Sequence, residues 1–342
     1  MSFRRSHLVL LAAALTPLAA GCGEDERPVT TTISSSPATV AVDSGTGPTG
    51  DGSPATQPTG PVSYADAEAA YAGRNYDEAV DLFAAYTRSS PDNPWGHYMY
   101  GLSAWKAGDD EQAIAAFDEA LRLDPQHRKS LLNSARVLLE TGRPREALER
   151  IEHALSLEPL SGEGLRLLGR ARYELKEIPE AIDAYQQAIA LDERDAWAMN
   201  NLGLIYIQQD RSDIALPILA RAVELRSNSP VFQNNLGTAL ERTGHFAAAG
   251  KAYEAVLAAD STYGKAAASL QRVTPHVGSD TSTVDLAAVA AEFREAVRSW
   301  RDSTAESQDS AVLDSVAVDS VVVDSAVVPF DSATSSESLM VE

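Results

Sequence analysis

Few side chains in this chain have the type and spacing that covalent chemistry needs. Of its 342 residues one is a cysteine, Cys22, and six are histidines: His7, His97, His127, His153, His245 and His276. No two histidines are spaced as a metal pair. The sequence also lacks a Gly-rich phosphate loop with its lysine, a His-Glu-x-x-His pair and a Gly-x-Ser-x-Gly elbow. The expectation is a protein with no catalytic residues, no metal and no cofactor, hence not an enzyme. What remains is the chemistry of recognition. Two Asn-Asn-Leu-Gly runs, at Asn200–Asn201 and Asn234–Asn235, lie 34 residues apart, and each amide offers both donors and an acceptor. Arg166 and Arg170 are spaced to share one helix face.

The separation of the two runs belongs to the whole middle of the chain. An alanine recurs at Ala79, Ala113, Ala147, Ala181, Ala215 and Ala249. A large apolar residue follows each by four: Phe83, Phe117, Ile151, Tyr185, Leu219 and Tyr253. A small residue precedes each by twelve: Ala67, Gly101, Ala135, Gly169, Gly203 and Gly237. Small residues at fixed offsets let two helices approach closely while the large one fills the space beside them. A helix–turn–helix unit repeated at this period predicts a solenoid.

The pattern resembles the tetratricopeptide repeat family over about residues 60–263. The resemblance implies an all-α, right-handed α-solenoid of about six repeats. Set at 61–263, the units count as 60–93, 94–127, 128–161, 162–195, 196–229 and 230–263. It implies that the first helix of each unit lines a concave groove, and on that footing the groove residues are Trp95, Tyr98, Lys129, Asn133, Arg136, Arg166, Arg170, Trp197, Asn200, Asn201, Asn234 and Asn235. Met99, Leu102 and Trp105 extend the aromatic strip of unit two. The groove would grade from aromatic, through basic, to amide-lined, suiting an extended peptide with carboxylates or a partner helix.

Irregularities are expected at three places. Asp66 stands where an apolar residue is usual, Pro217 falls a turn inside a second helix and should cost a backbone bond and kink it, and units four to six lack the proline that ends the first three at Pro91, Pro125 and Pro159. Pro144 and Pro179 are placed to start helices, and Gly108, Gly142 and Gly244 to end them.

The ends read as a targeting segment and two tails. Arg4 and Arg5 precede an apolar run from Leu8 to Ala20, too short to span a bilayer. The run ends in Leu18-Ala19-Ala20-Gly21-Cys22, which resembles the lipobox of bacterial lipoprotein precursors, with Ala19 where leucine is common. That resemblance implies a signal peptide at 1–21 and an acylated Cys22 as the lipid-bilayer partner. It also implies export to the membrane facing the periplasm or cell exterior; Gly23, in place of a retention aspartate, favours an outer membrane where one exists. Residues 22–60, rich in Thr, Ser, Pro and Gly, read as a disordered tether reaching on the order of 35 Å.

After the array, 264–275 reads as a capping helix, which a solenoid needs, and 283–301 as an amphipathic helix started by Ser282 or Thr283. Packing on its own array is the expected use of that helix, and self-association the alternative. Residues 302–342 carry no Lys or Arg and repeat an Asp-Ser pair at 309, 314, 319 and 324 between Val and Ala; they read as a disordered acidic tail. The formal net charge of −21 excludes a nucleic-acid binder. The expected function is a membrane-anchored scaffold for proteins of the bacterial cell envelope. The alternatives are a pilotin-like assembly factor for a secretin or type IV pilus, or a spacer without a specific ligand.

Overall fold

The computed structural model describes residues 62–280 and 282–301; Cys22, the tether and the acidic tail lie outside the described residues. Within them the chain is helical throughout, with no strand. Six helix pairs follow one another: α1 (Tyr64–Ala72) with α2 (Tyr76–Ser89), α3 (Pro94–Ala107) with α4 (Asp110–Leu123), and α5 (Arg128–Glu140) with α6 (Pro144–Leu157). Then come α7 (Gly162–Glu174) with α8 (Ile178–Leu191), α9 (Ala196–Gln208) with α10 (Ser212–Leu225), and α11 (Pro230–Arg242) with α12 (Phe246–Ala259). Helices α13 (Gly264–Val277) and α14 (286–301) complete the order. No helix among the described residues is long and apolar enough to cross a membrane.

The recurring residues meet as their spacing implies. All six alanines of the beat are fully buried. The small residue of each first helix faces the large residue of its second: a Cβ built on Gly169 would lie 2.8 Å from the Tyr185 ring, and one on Gly203 2.6 Å from Leu219 Cγ. Glycine there sets how closely the helices approach. Turns inside the pairs share one device. Arg74, Gly108, Gly142, Lys176, Asp210 and Gly244 occupy one repeat position, and all six have positive φ, so three units take the left-handed conformation without glycine.

Caps between pairs are also periodic. Asn93, His127, Ser161, Asp195 and Ser229 each accept a backbone N–H from the first turn of the following helix. Asp66 finds its reason in the same physics. Its amide donates to Ser63 Oγ while its carboxylate accepts the Ser63 hydroxyl, a reciprocal cap opening the short helix α1. Pro217 does not interrupt α10, which runs from Ser212 to Leu225.

Each helix from α1 to α13 packs on its chain neighbours, and the odd helices among them also touch one another in sequence, whereas the even helices α2 to α12 do not. The odd helices therefore form the inner side of the curve. Helix α14 folds back over the second helices. Ala290, Phe293 and Val297 are buried in the same apolar core as α9 to α13. Arg294 pairs with Glu224 at the end of α10 at 3.1 Å, and Arg301 with Glu193 in the α8–α9 turn at 2.7 Å. Its start differs from the expected one: Asp285 accepts the amides of Ala287 and Ala288, while Ser282 bonds Asp280 and His245.

Candidate functional site

The inner side is built by α3, α5, α7, α9 and α11, and the residues expected to line it fall into three environments. At the α3 end the aromatics divide. Trp95 is 46% exposed, but Tyr98, Met99 and Trp105 are packed away, Trp105 donating its indole N–H to Glu140 at 2.8 Å. The expected aromatic strip is thus mostly core, with one exposed ring. Burial pushes the Tyr98 hydroxyl pKa up, and Glu163 adds to it.

In the middle the expected basic stripe has carboxylate partners. Arg136 bonds Glu163 of the next unit and Asn133 at 2.9 Å. Arg166 meets Asp195 at 2.8 Å, and Arg170 meets Glu174 at 2.9 Å. Burial raises the Glu174 pKa although Arg170 pulls the other way, which marks this pair as partly desolvated. Lys129, by contrast, is exposed, sits 5.2 Å over the Trp95 ring, and has no ion pair among the described residues.

At the amide end, Asn200, Asn201, Asn234 and Asn235 are all buried. They form a chain: Asn234 Nδ2 to Asn235 Oδ1 at 3.5 Å, Asn235 Nδ2 to Asn200 Oδ1 at 2.9 Å, and Asn200 Nδ2 to Asn201 Oδ1 at 3.3 Å. Trp197 is buried edge-on to Phe232, ring centroids 4.8 Å apart. Every residue of α9 from Ala196 to Ile207 is buried, as suits a helix that is apolar nearly all round. Part of the hydrogen-bonding capacity expected for a ligand is therefore spent inside the array.

One feature escaped the sequence reading. Bonds between neighbouring odd helices recur at a separation of 35 residues: Tyr98 with Asn133, Trp105 with Glu140, Tyr173 with Gln208, Asn200 with Asn235, and the Ile207 carbonyl with Arg242. A residue on one inner helix meets the residue one repeat and one place further on. Scanning donor and acceptor pairs at that separation would have found it. Among the described residues no group of three or more His, Cys, Asp or Glu side chains could hold a metal.

Three family models described as tetratricopeptide repeats match this region. One covers residues 64–128 and 198–273, one 104–171, and one 169–210. Together they run from 64 to 273 without a gap. No curated protein matches the chain. Solved structures with a similar fold include the APC/C hetero-tetramer Cut9–Hcn1, 20% identical, covering 61% of this chain and 42% of that one, with a TM-score of 0.55. Another is pilF of Pseudomonas aeruginosa, 19% identical over 64% of this chain and 96% of that one, TM-score 0.50. MamA 41-end from Desulfovibrio magneticus RS-1 is 23% identical over 48% and 92%, TM-score 0.45. At these identities the likeness concerns the helical solenoid fold.

Proposed function

We propose that this chain, whose residues 64–273 are a tetratricopeptide repeat array, is a scaffold that binds other proteins on its inner side and is held at a bacterial membrane by an acylated Cys22. The observation that carries the reading is the inner side itself. Bonds that step from unit to unit, at Tyr98–Asn133, Arg136–Glu163 and Asn200–Asn235, knit the helices into one preformed surface. A surface ordered before binding loses little entropy when a peptide or helix is laid on it. The arginines and asparagines on it already have partners, so an incoming chain must match donors and acceptors already in place, which favours selectivity over bulk adhesion. The lipobox-like run ending at Cys22 and the length of 23–60 support a tethered position in the cell envelope.

The test crosslinks the lipidated protein in its own membranes and identifies the proteins held, in the wild type and in Asn201→Ala/Asn234→Ala. Those two residues end the amide chain, so the variant keeps the 2.9 Å Asn235–Asn200 bond. A defined partner lost from a variant with unchanged circular dichroism supports the inner-side reading. An unchanged set of partners refutes it. Cys22→Ser should move the protein from the membrane to the soluble fraction; a variant still retained refutes the anchor alone.

A further inference from the structure

We propose that the chain's own carboxy-terminal segment, residues 302–342, docks along the turn edge of the array and places a Val-Asp step in a cleft at Trp95, His127 and Lys129. The turns that join one helix pair to the next form this edge. Of the five large apolar side chains most exposed among the described residues, four lie on it: Trp95, Leu157, Leu160 and Leu191. Such a row is more than scattered surface leucine.

At one end of the row is an open cleft of about 490 Å³, whose lining includes Trp95, Asp124, His127, Lys129 and Leu157. His127 is buried, and its Nδ1 accepts the Ser130 amide, which leaves the ring hydrogen on Nε2. That Nε2 has no partner. Asp124 turns one oxygen to the Gln126 amide. The cleft thus sets one exposed ammonium beside an indole face and a leucine, while the His127 Nε2 itself is closed to solvent. A carboxylate next to an aliphatic side chain answers the ammonium, the indole face and the leucine.

The tail has that chemistry and starts on the same edge. Helix α14 brings the chain to Arg301, paired with Glu193 in the α8–α9 turn, two residues from exposed Leu191. The cleft is two repeats away, about 20 Å at the usual spacing of packed helices, which an extended chain covers in roughly six residues. Forty-one residues follow Arg301 (342 − 301), without Lys or Arg, and their Asp-Ser pairs are separated by Val, Ala and Leu. Apolar triplets suit the leucine row and an aspartate suits Lys129.

The experiment uses the full chain with Cys22→Ser and Ser320→Cys, a nitroxide on the new thiol, and fluorotryptophan at all four tryptophans. Docking broadens the Trp95 fluorine signal several times more than that of Trp105, ten residues along the same helix and about 15 Å away. Adding Lys129→Glu removes the difference, and dilution with unlabelled chain leaves it unchanged. Equal broadening at Trp95 and Trp105, or indifference to Lys129→Glu, overturns the proposal. Loss of the effect on dilution assigns the cleft to the tail of a second copy and overturns docking within one chain.

Discussion

Among the glycines inside helices of this array, two should respond to the same substitution with opposite signs. Gly169 on α7 and Gly250 on α12 are both buried, and replacing a mid-helix glycine by alanine gains about 0.8–1 kcal/mol in helix propensity. At Gly250 the new Cβ would find Leu270 at 3.8 Å and Val273 at 4.0 Å, ordinary contacts that add apolar packing. Gly250→Ala should stabilise by about 1 kcal/mol or slightly more. At Gly169 the Cβ would lie 2.8 Å from the Tyr185 ring, about 0.7–1.2 Å inside the usual carbon contact distance. Tyr185 is 2% exposed, so its ring has nowhere to turn. Overpacking of this kind costs about 1–3 kcal/mol, which cancels or exceeds the propensity gain. Urea midpoints followed by circular dichroism should separate the two variants by about 2 kcal/mol. Gly169→Ala equal to or more stable than Gly250→Ala would refute the account of helix approach given above.

Three further outcomes follow from single positions. Lys176 sits at φ 69° where other units use glycine, so Lys176→Gly should stabilise by about 1 kcal/mol, and Gly142→Ala at the equivalent position should destabilise by a similar amount, both read as shifts in thermal midpoint. Burial pushes the Tyr253 hydroxyl up to about 12. Its contribution to stability is intact below the unfolded value near pH 10 and is lost as pH rises from there toward 12, and Tyr253→Phe should remove that alkaline slope. Burial lowers the His127 pKa, and the neutral ring caps α5. Its contribution is present above the unfolded value near 6.5 and is lost as pH falls through the folded one; His127→Ser, the cap that units four and six use at Ser161 and Ser229, should flatten stability between pH 7 and 5.

The repeat and its internal contacts were legible because they depend on residue size at fixed offsets, as in the match of Gly101 with Phe117 and Gly237 with Tyr253. The state of the candidate site was less legible. Position in a repeat says which way Asn200 or Arg166 points, but not whether a neighbour one repeat on meets it. Asn235 and Asp195 do so here. Burial at α9 has the same origin. Reading Trp197, Asn200 and Asn201 as groove residues considered one face of the helix, whereas Leu202, Gly203, Ile205 and Ile207 make the other faces apolar as well.

The docking of α14 shows that a different comparison would have recovered more. Within unit five, Ile214, Leu216, Ile218 and Ala220 look like an ordinary apolar second helix. Aligned with the other units, Ala220 stands where Asp118, Glu152 and Glu254 face solvent and where Ala84 and Gln186 are half-buried, yet it is only 4% exposed. An outward position that is exposed or half-buried in every other repeat and fully buried in this one marks a surface that something must cover. The nearby Arg294–Glu224 pair and the burial of Phe293 and Val297 identify α14 as the cover. An isolated repeat would gain nothing from that change, so the departure from the repeat pattern, and not the pattern, records the tertiary contact. Helix α14 also fixes where the acidic tail begins, on the edge that carries Leu191, Leu160, Leu157 and Trp95.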